Sequence, residues 1–241
     1  MREIPAEMQP RDAVFVHGAG GGAWEWQIWR RVFTAYGWRC RVPDLRPVAA
    51  GLAATQFDDY VTQVEAVVRS STTRHANASG AVLIGASLGG LLAIAACARA
   101  MPAALVLINA LPPAGVALGS PREYAQIVPW GSRCSLASTM RAMPDGDDAA
   151  RLYAFRHWRD ESGAVLRAAQ AGIALAKPAC PTLLLASECD KDVPLATSRD
   201  LAAFLGAELR VIPGSSHVDP LLGRGAAACA DSVRRWLADR R

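Results

Sequence analysis

Residues 85–89 read Gly-Ala-Ser-Leu-Gly and stand between a short apolar run, 81–84, and an alanine- and leucine-rich stretch, 88–101. A chain that reverses sharply from strand to helix needs glycines around the turn, and it leaves the central serine strained with its hydroxyl exposed. Ser87 is therefore the candidate nucleophile. The motif alone is weak in a chain with 20 glycines, and its weight comes from the strand-turn-helix context. Two further segments supply an acid and a base. Ser187-Glu188-Cys189-Asp190-Lys191-Asp192-Val193-Pro194 follows the fifth of six apolar runs, and Pro213-Gly214-Ser215-Ser216-His217 follows the sixth. One helix and one strand separate Asp190 from His217, so both are expected at the carboxyl edge of adjacent parallel strands, where Ser87 also emerges. Taken singly, Asp190 reads as a helix cap and His217 as a solvated loop residue. Taken together, in the order Ser, Asp, His, they can converge for nucleophilic catalysis.

A glycine-rich loop, Val16-His17-Gly18-Ala19-Gly20-Gly21-Gly22, closes the first apolar run. Glycines allow close backbone approach to a ligand, and an amide from such a loop can join the Leu88 amide in holding a developing oxyanion. Ala19 is the expected second donor. The competing reading is a dinucleotide cradle running through Gly18, Gly20 and Ala23. It finds little support, because Asp44, the acidic residue placed to grip a ribose, sits in a Pro43-to-Pro47 turn and the loop carries too many glycines to be diagnostic.

The elements that must position these groups are six apolar runs, 13–16, 39–42, 81–84, 105–108, 182–186 and 209–212, separated by helical stretches at 24–36, 57–70, 88–101, 195–205 and 222–239. Strands alternating with crossover helices imply an α/β fold with a mainly parallel sheet of about six strands in one domain, 1–241. The alternation fails at 111–178, where helical-looking segments run without a clear strand. This part is expected to be a helical lid, since long insertions in compact domains are often functional. Its Trp130 and Trp158, with Trp24 after the glycine loop, are expected to line a substrate pocket, whereas Trp26 and Trp29 read as core. The insertion's arginines, from Arg122 to Arg167, show no convergence that would clamp an anion. His17 is read as a loop-ordering hydrogen-bond partner, His157 as divided between pocket and exposed face, and His75 as solvated.

These motifs resemble the α/β-hydrolase superfamily over nearly the whole chain outside the insertion. VHGAGGGAWEW resembles the oxyanion loop and first helix of the branch with plant methylesterases and hydroxynitrile lyases and with many bacterial esterases. GASLGG resembles its nucleophile elbow, and PGSSHVDPLL the loop bearing its histidine. SECDKDVP resembles its acid loop, in which the aspartate stands four residues before the proline, which selects Asp190 over Asp192. There are two departures. The stretch after the second apolar run lacks the PDxxGxGxS form, and Val218 stands beside His217 where the lyases carry lysine, which disfavours cyanohydrin cleavage. The resemblance implies cleavage of a small-molecule ester or thioester by Ser87, His217 and Asp190, with Ala19 and Leu88 as the oxyanion hole and no metal or organic cofactor. Alternatives on the same fold are amide or C–C cleavage and a ligand-binding receptor.

Composition narrows the class further. With 241 residues, 51% hydrophobic and 20% charged, the chain has the makings of a large buried core, which excludes disorder. The net charge of +4 comes from scattered arginines with only Lys177 and Lys191 as lysines, so nucleic acid is not an expected partner. Six cysteines without CxxC spacing read as reduced thiols, hence a cytoplasmic setting. The polar N-terminus lacks the apolar run of a secretory signal. The uncharged stretch 77–98 is long enough to span a bilayer, but Gly85 to Gly90 split it, and strand, turn and helix explain it better.

Overall fold

The computed structural model describes residues 11–72, 80–119 and 121–240. Six strands form one sheet: β1 (Asp12–Val16), β2 (Arg39–Arg41), β3 (Val82–Ala86), β4 (Ala104–Ile108), β7 (Thr182–Ser187) and β8 (Glu208–Ile212). Their order is β2-β1-β3-β4-β7-β8, and every pairing is parallel. The four central strands are almost wholly buried, as a sheet covered on both faces requires. Period-2 alternation divides their side chains between two cores. Val14, Val16, Leu83, Leu105 and Leu107 pack beneath α2 (Phe57–Thr72), α3 (Leu88–Ala100) and α7 (Leu195–Leu205). Phe15, Ile84, Val106 and Ile108 face α1 (Gln27–Ala35) and α9 (Ala226–Ala238), where Trp26, Trp29 and Phe33 sit in mutual ring contact, in the core as expected.

Helix α3 is apolar but for Arg99 in its last turn and is mostly buried. It follows β3 directly, so the expected membrane-length stretch resolves from residue 80 onward into strand, turn and helix. Among the described residues, no helix is long and apolar enough to cross a membrane. The helix expected at 222–239 begins later, as α9, after a break that follows the short α8 (Asp219–Leu222). The break has a physical cause: Asp145 of the insertion accepts the Arg224 amide at 3.0 Å and lies against Gly223.

Between β4 and β7 the insertion carries α4 (Leu136–Ala142), α5 (Asp148–Phe155) and α6 (Gly163–Ala171), each entered through a side-chain cap from Ser135, Asp147 or Ser162. It also holds a ribbon that helical reading alone does not foresee, β5 (Ile127–Val128) antiparallel to β6 (Glu161–Ser162). Six of its apolar side chains, Ile127, Trp130, Leu136, Met140, Leu152 and Tyr153, are exposed, whereas the apolar side chains of the four central strands are buried. His75, read as solvated, lies outside the described residues.

Candidate active site

Ser87 sits between β3 and α3 with φ 52 and ψ −121, a conformation L-residues rarely adopt. Packing over-determines it. The Ser87 amide donates to the Ile108 carbonyl at 3.0 Å, and its carbonyl accepts from Leu111 at 3.0 Å. Gly89 lies so close to the carbonyls of Val16 and His17 that a Cβ there would collide with them. The strained turn is thus locked against the end of β1 and the start of the glycine loop.

His217 and Asp190 come from the loops after β8 and β7, neighbours in the sheet. His217 Nδ1 lies 2.7 Å from Asp190 Oδ2, while Asp190 Oδ1 accepts the amides of Asp192 at 2.8 Å and Val193 at 2.9 Å. Both oxygens of this buried carboxylate are therefore engaged. Burial pulls the His217 pKa down, but the hydrogen bond and charge of Asp190, aided by Asp192 and Glu25, prevail and raise it above the ordinary histidine value. Asp192 instead stands half-exposed in an ion pair with Arg122 at 2.9 Å. Asp190, Asp192 and His217 are also the group whose oxygen and nitrogen atoms lie within 4.8 Å of one another, close enough for a metal ion. Each of the three is already partnered within the protein.

The His217 loop has an anchor that sequence reading did not single out. Asn109, buried at the end of β4 with φ 46, donates from Nδ2 to the His217 carbonyl at 2.7 Å and to Ser187 Oγ at 2.9 Å, and accepts the Ser187 amide at 2.8 Å. It ties β4, β7 and the histidine together.

In the glycine loop the amides divide sharply. Gly18 donates to Glu25 Oε2 at 3.2 Å, Gly20 to Glu161 Oε2 at 3.0 Å and Gly21 to the Gly18 carbonyl at 3.3 Å. Among the described residues, no hydrogen-bond partner engages the amide of Ala19 or of Leu88. His17 orders the loop as expected: its Nδ1 meets the Gly18 carbonyl at 2.8 Å, and its Nε2 accepts the Leu45 amide at 2.9 Å. Burial lowers its pKa to about 4, with the Arg159 charge acting in the same direction, so the ring is neutral. From the insertion, Arg159 donates from Nε to the Gly21 carbonyl at 2.6 Å, and its own amide donates to the Gly20 carbonyl at 2.7 Å. Gly20, at φ 68, has no room for a side chain against Trp130 and the Arg159 carbonyl.

Ser87, His217 and Ala19 open onto a cavity of about 600 Å3, whose wall includes Trp130 and Trp158 together with Leu111, Leu118 and Leu166. Arg122 and Lys191 also line it, a cationic element that the scattered arginines of the sequence do not reveal, although Arg122 is paired with Asp192. Trp24, expected in the pocket wall, is not part of the wall of this cavity. It stands behind Trp158, with ring centroids 5.0 Å apart at 77°, because the aromatic side of the insertion packs down onto it. His157 stacks on Tyr153 at 3.9 Å beside Trp24 and also stays out of the cavity.

The sequence model of the alpha/beta hydrolase family matches residues 13–232. No curated protein matches the sequence. Solved structures share the fold at low identity. A methylesterase from Arabidopsis is 16% identical with a TM-score of 0.70, covering 94% of this chain and 99% of that one. A pyrethroid hydrolase from Sphingobium faniae is 18% identical with a TM-score of 0.70, covering 95% and 97%. Tomato methylketone synthase I, in complex with 2-tridecanone, is 15% identical with a TM-score of 0.76, covering 97% and 100%.

Proposed function

Because this chain belongs to the alpha/beta hydrolase family, we propose that it is a serine hydrolase that cleaves a small-molecule carboxylic ester or thioester through an acyl-enzyme. Ser87 Oγ attacks the carbonyl carbon while His217 Nε2 takes the hydroxyl proton and returns it to the departing alkoxide or thiolate. Asp190 holds the imidazole by Nδ1 and stabilises its cation. The amides of Ala19 and Leu88 receive the oxyanion. The observation that carries this reading is the 2.7 Å contact between His217 and Asp190 at the cavity where Ser87, strained at φ 52, is presented.

The cavity volume of about 600 Å3 falls in the range of roughly 300–1,000 Å3 that suits a small organic ligand, and its tryptophans and leucines favour an apolar acyl group. Residues 111–178 act in this reading as the lid over the site. The names methylesterase and pyrethroid hydrolase, borne by two proteins of like fold, accord with ester cleavage. A fluorophosphonate probe is expected to label Ser87, and Ser87→Ala to abolish labelling and lower kcat by several orders of magnitude. Labelling at Ser215 or Ser216 instead would overturn the assignment. In a matched series, kcat/KM is expected to be higher for ester and thioester than for amide. An amide that proves best would make the enzyme a peptidase.

A further inference from the structure

A second cavity, of about 60 Å3, shares Ser87, His217, Ala19 and Trp158 with the large one and extends down to Glu25 and Leu221. A water molecule occupies about 30 Å3 in the liquid, so this space suits a few waters and is ten times too small for the substrate cavity's contents. Among its lining side chains the polar ones are Ser87, His217 and Glu25. Three is the number of partners a buried water ordinarily has. Glu25 is itself buried, a carboxyl flanked by Trp24 and Trp26, with Oε2 tied to the Gly18 amide. The triad makes no use of it.

We propose that the small cavity is the station of the water that hydrolyses the acyl-enzyme, and that Glu25 orients this water. The inference rests on the acyl-enzyme reading above. The water oxygen attacks the acyl carbon as His217 Nε2 takes one of its protons, while the Glu25 carboxylate accepts a hydrogen bond from the other and undergoes no net protonation. The tetrahedral intermediate then collapses, the bond from carbon to Ser87 Oγ breaks, and His217 returns the proton to Oγ. A carboxylic acid and free Ser87 result.

The charge state of Glu25 matters to this step. Burial drives its pKa up to about 7, against the Gly18 amide and the positive groups facing it, His217 from the loop after β8 and Arg159 from the insertion. Orientation by the carboxylate therefore strengthens as pH rises through 7.

The test is pre-steady-state turnover of p-nitrophenyl butyrate by the whole protein, with intact-mass detection of the butyryl adduct on Ser87. Glu25→Gln keeps the side-chain shape and an oxygen for the Gly18 amide. It is expected to leave the acylation burst within about threefold while slowing deacylation about tenfold or more, so that the adduct accumulates. The rise of its deacylation rate with pH should then follow His217 alone and move to lower pH, because the Glu25 charge that helps raise the His217 pKa is gone. Glu25→Asp, which keeps the charge, is expected to recover part of the rate and serves if the glutamine variant melts early. Equal slowing of acylation and deacylation, or unchanged deacylation, would overturn the proposal. A Ser87→Ala protein that turns over the ester as fast as the parent would overturn the acyl-enzyme reading itself.

Discussion

The two sides of the large cavity are built differently. Below, Ser87, Asp190 and His217 hang from the ends of β3, β7 and β8, strands of one continuous sheet of which β3 and β7 are fully buried and β8 is its half-exposed edge. Above, the insertion reaches the site through single side chains: Trp130 and Trp158 in the wall, Arg159 and Glu161 on the glycine loop. The lower side places its groups from strand ends, the upper side through bonds that cross about 140 residues of sequence, from the side chains of Arg159 and Glu161 and from the Arg159 amide. In the proposed reading the chemistry belongs to the strand-end half, and the fine position of the glycine loop and the choice of acyl group belong to the insertion.

The largest expected effect lies on the strand-end side. Asp190→Asn leaves His217 without its carboxylate and favours the wrong tautomer, so kcat should fall by roughly 10^3 to 10^4. Asp192→Asn, which removes only a half-exposed partner of Arg122, should change kcat by less than about threefold. Steady-state kinetics of both variants on one ester decides the matter, and the reverse ranking would hand the role to Asp192.

How much of this was legible in the sequence follows the same division. Each apolar run lies within one or two residues of an observed strand. For the four central strands the reason is that a strand buried on both faces cannot tolerate polar interruptions. The edge strands β2 and β8 carry arginines and are only partly buried. Helix α7 coincides with the expected 195–205. Ser87, Asp190 and His217 could be singled out as candidates because glycine and strand-end position leave local marks, with the hydrolase resemblance preferring Asp190 to Asp192, and the structure does bring His217 and Asp190 into contact. The ribbon β5–β6 could not, since two-residue strands have no period to read. Trp24 belongs with the pocket aromatics by composition but packs behind Trp158, which only the docking of the insertion decides. Glu25 did leave a signal, a lone carboxylate between two tryptophans of which Trp26 becomes fully buried, and Asn109 left another as a polar residue following an all-apolar strand.

His17 provides a measure of how firmly the loop is held from below. Its unfolded-state pKa is near 6.5, and burial brings the folded value to about 4, with the Arg159 charge in the same sense and Asp44 against it. As pH falls below 6.5 the unfolded chain takes up the proton first, so stability present at pH 7 is lost progressively down to pH 4. The two values give a loss of about 2 kcal/mol by pH 4.5. Urea unfolding at pH 7 and at pH 4.5 is expected to show that much less pH dependence in His17→Asn than in the parent chain. Equal dependence would mean that His17 is charged or accessible in the folded state.

The smallest effect tests the upper side alone. Glu161 Oε2 accepts the Gly20 amide at 3.0 Å, and its Oε1 accepts Tyr60 Oη at 3.0 Å and the Ser162 amide at 2.8 Å. Charge-assisted bonds of this kind are about twice as strong as neutral ones, and here they draw Gly20 upward beside the unengaged amide of Ala19. Glu161→Gln keeps the volume but turns one acceptor oxygen into a donor, so either Gly20 or the Tyr60 and Ser162 pair loses its partner. The loop should then sample positions in which Ala19 no longer meets the oxyanion squarely, and such misalignment weakens the transition state more than the ground state. The expected result is a fall in kcat of about tenfold with KM within about twofold, and an unchanged rate of Ser87 labelling by a small fluorophosphonate relative to kcat. If KM rises instead while kcat holds, Glu161 shapes the substrate cavity and does not position the oxyanion loop. The division of labour between the two sides would then have to be redrawn with the insertion confined to binding.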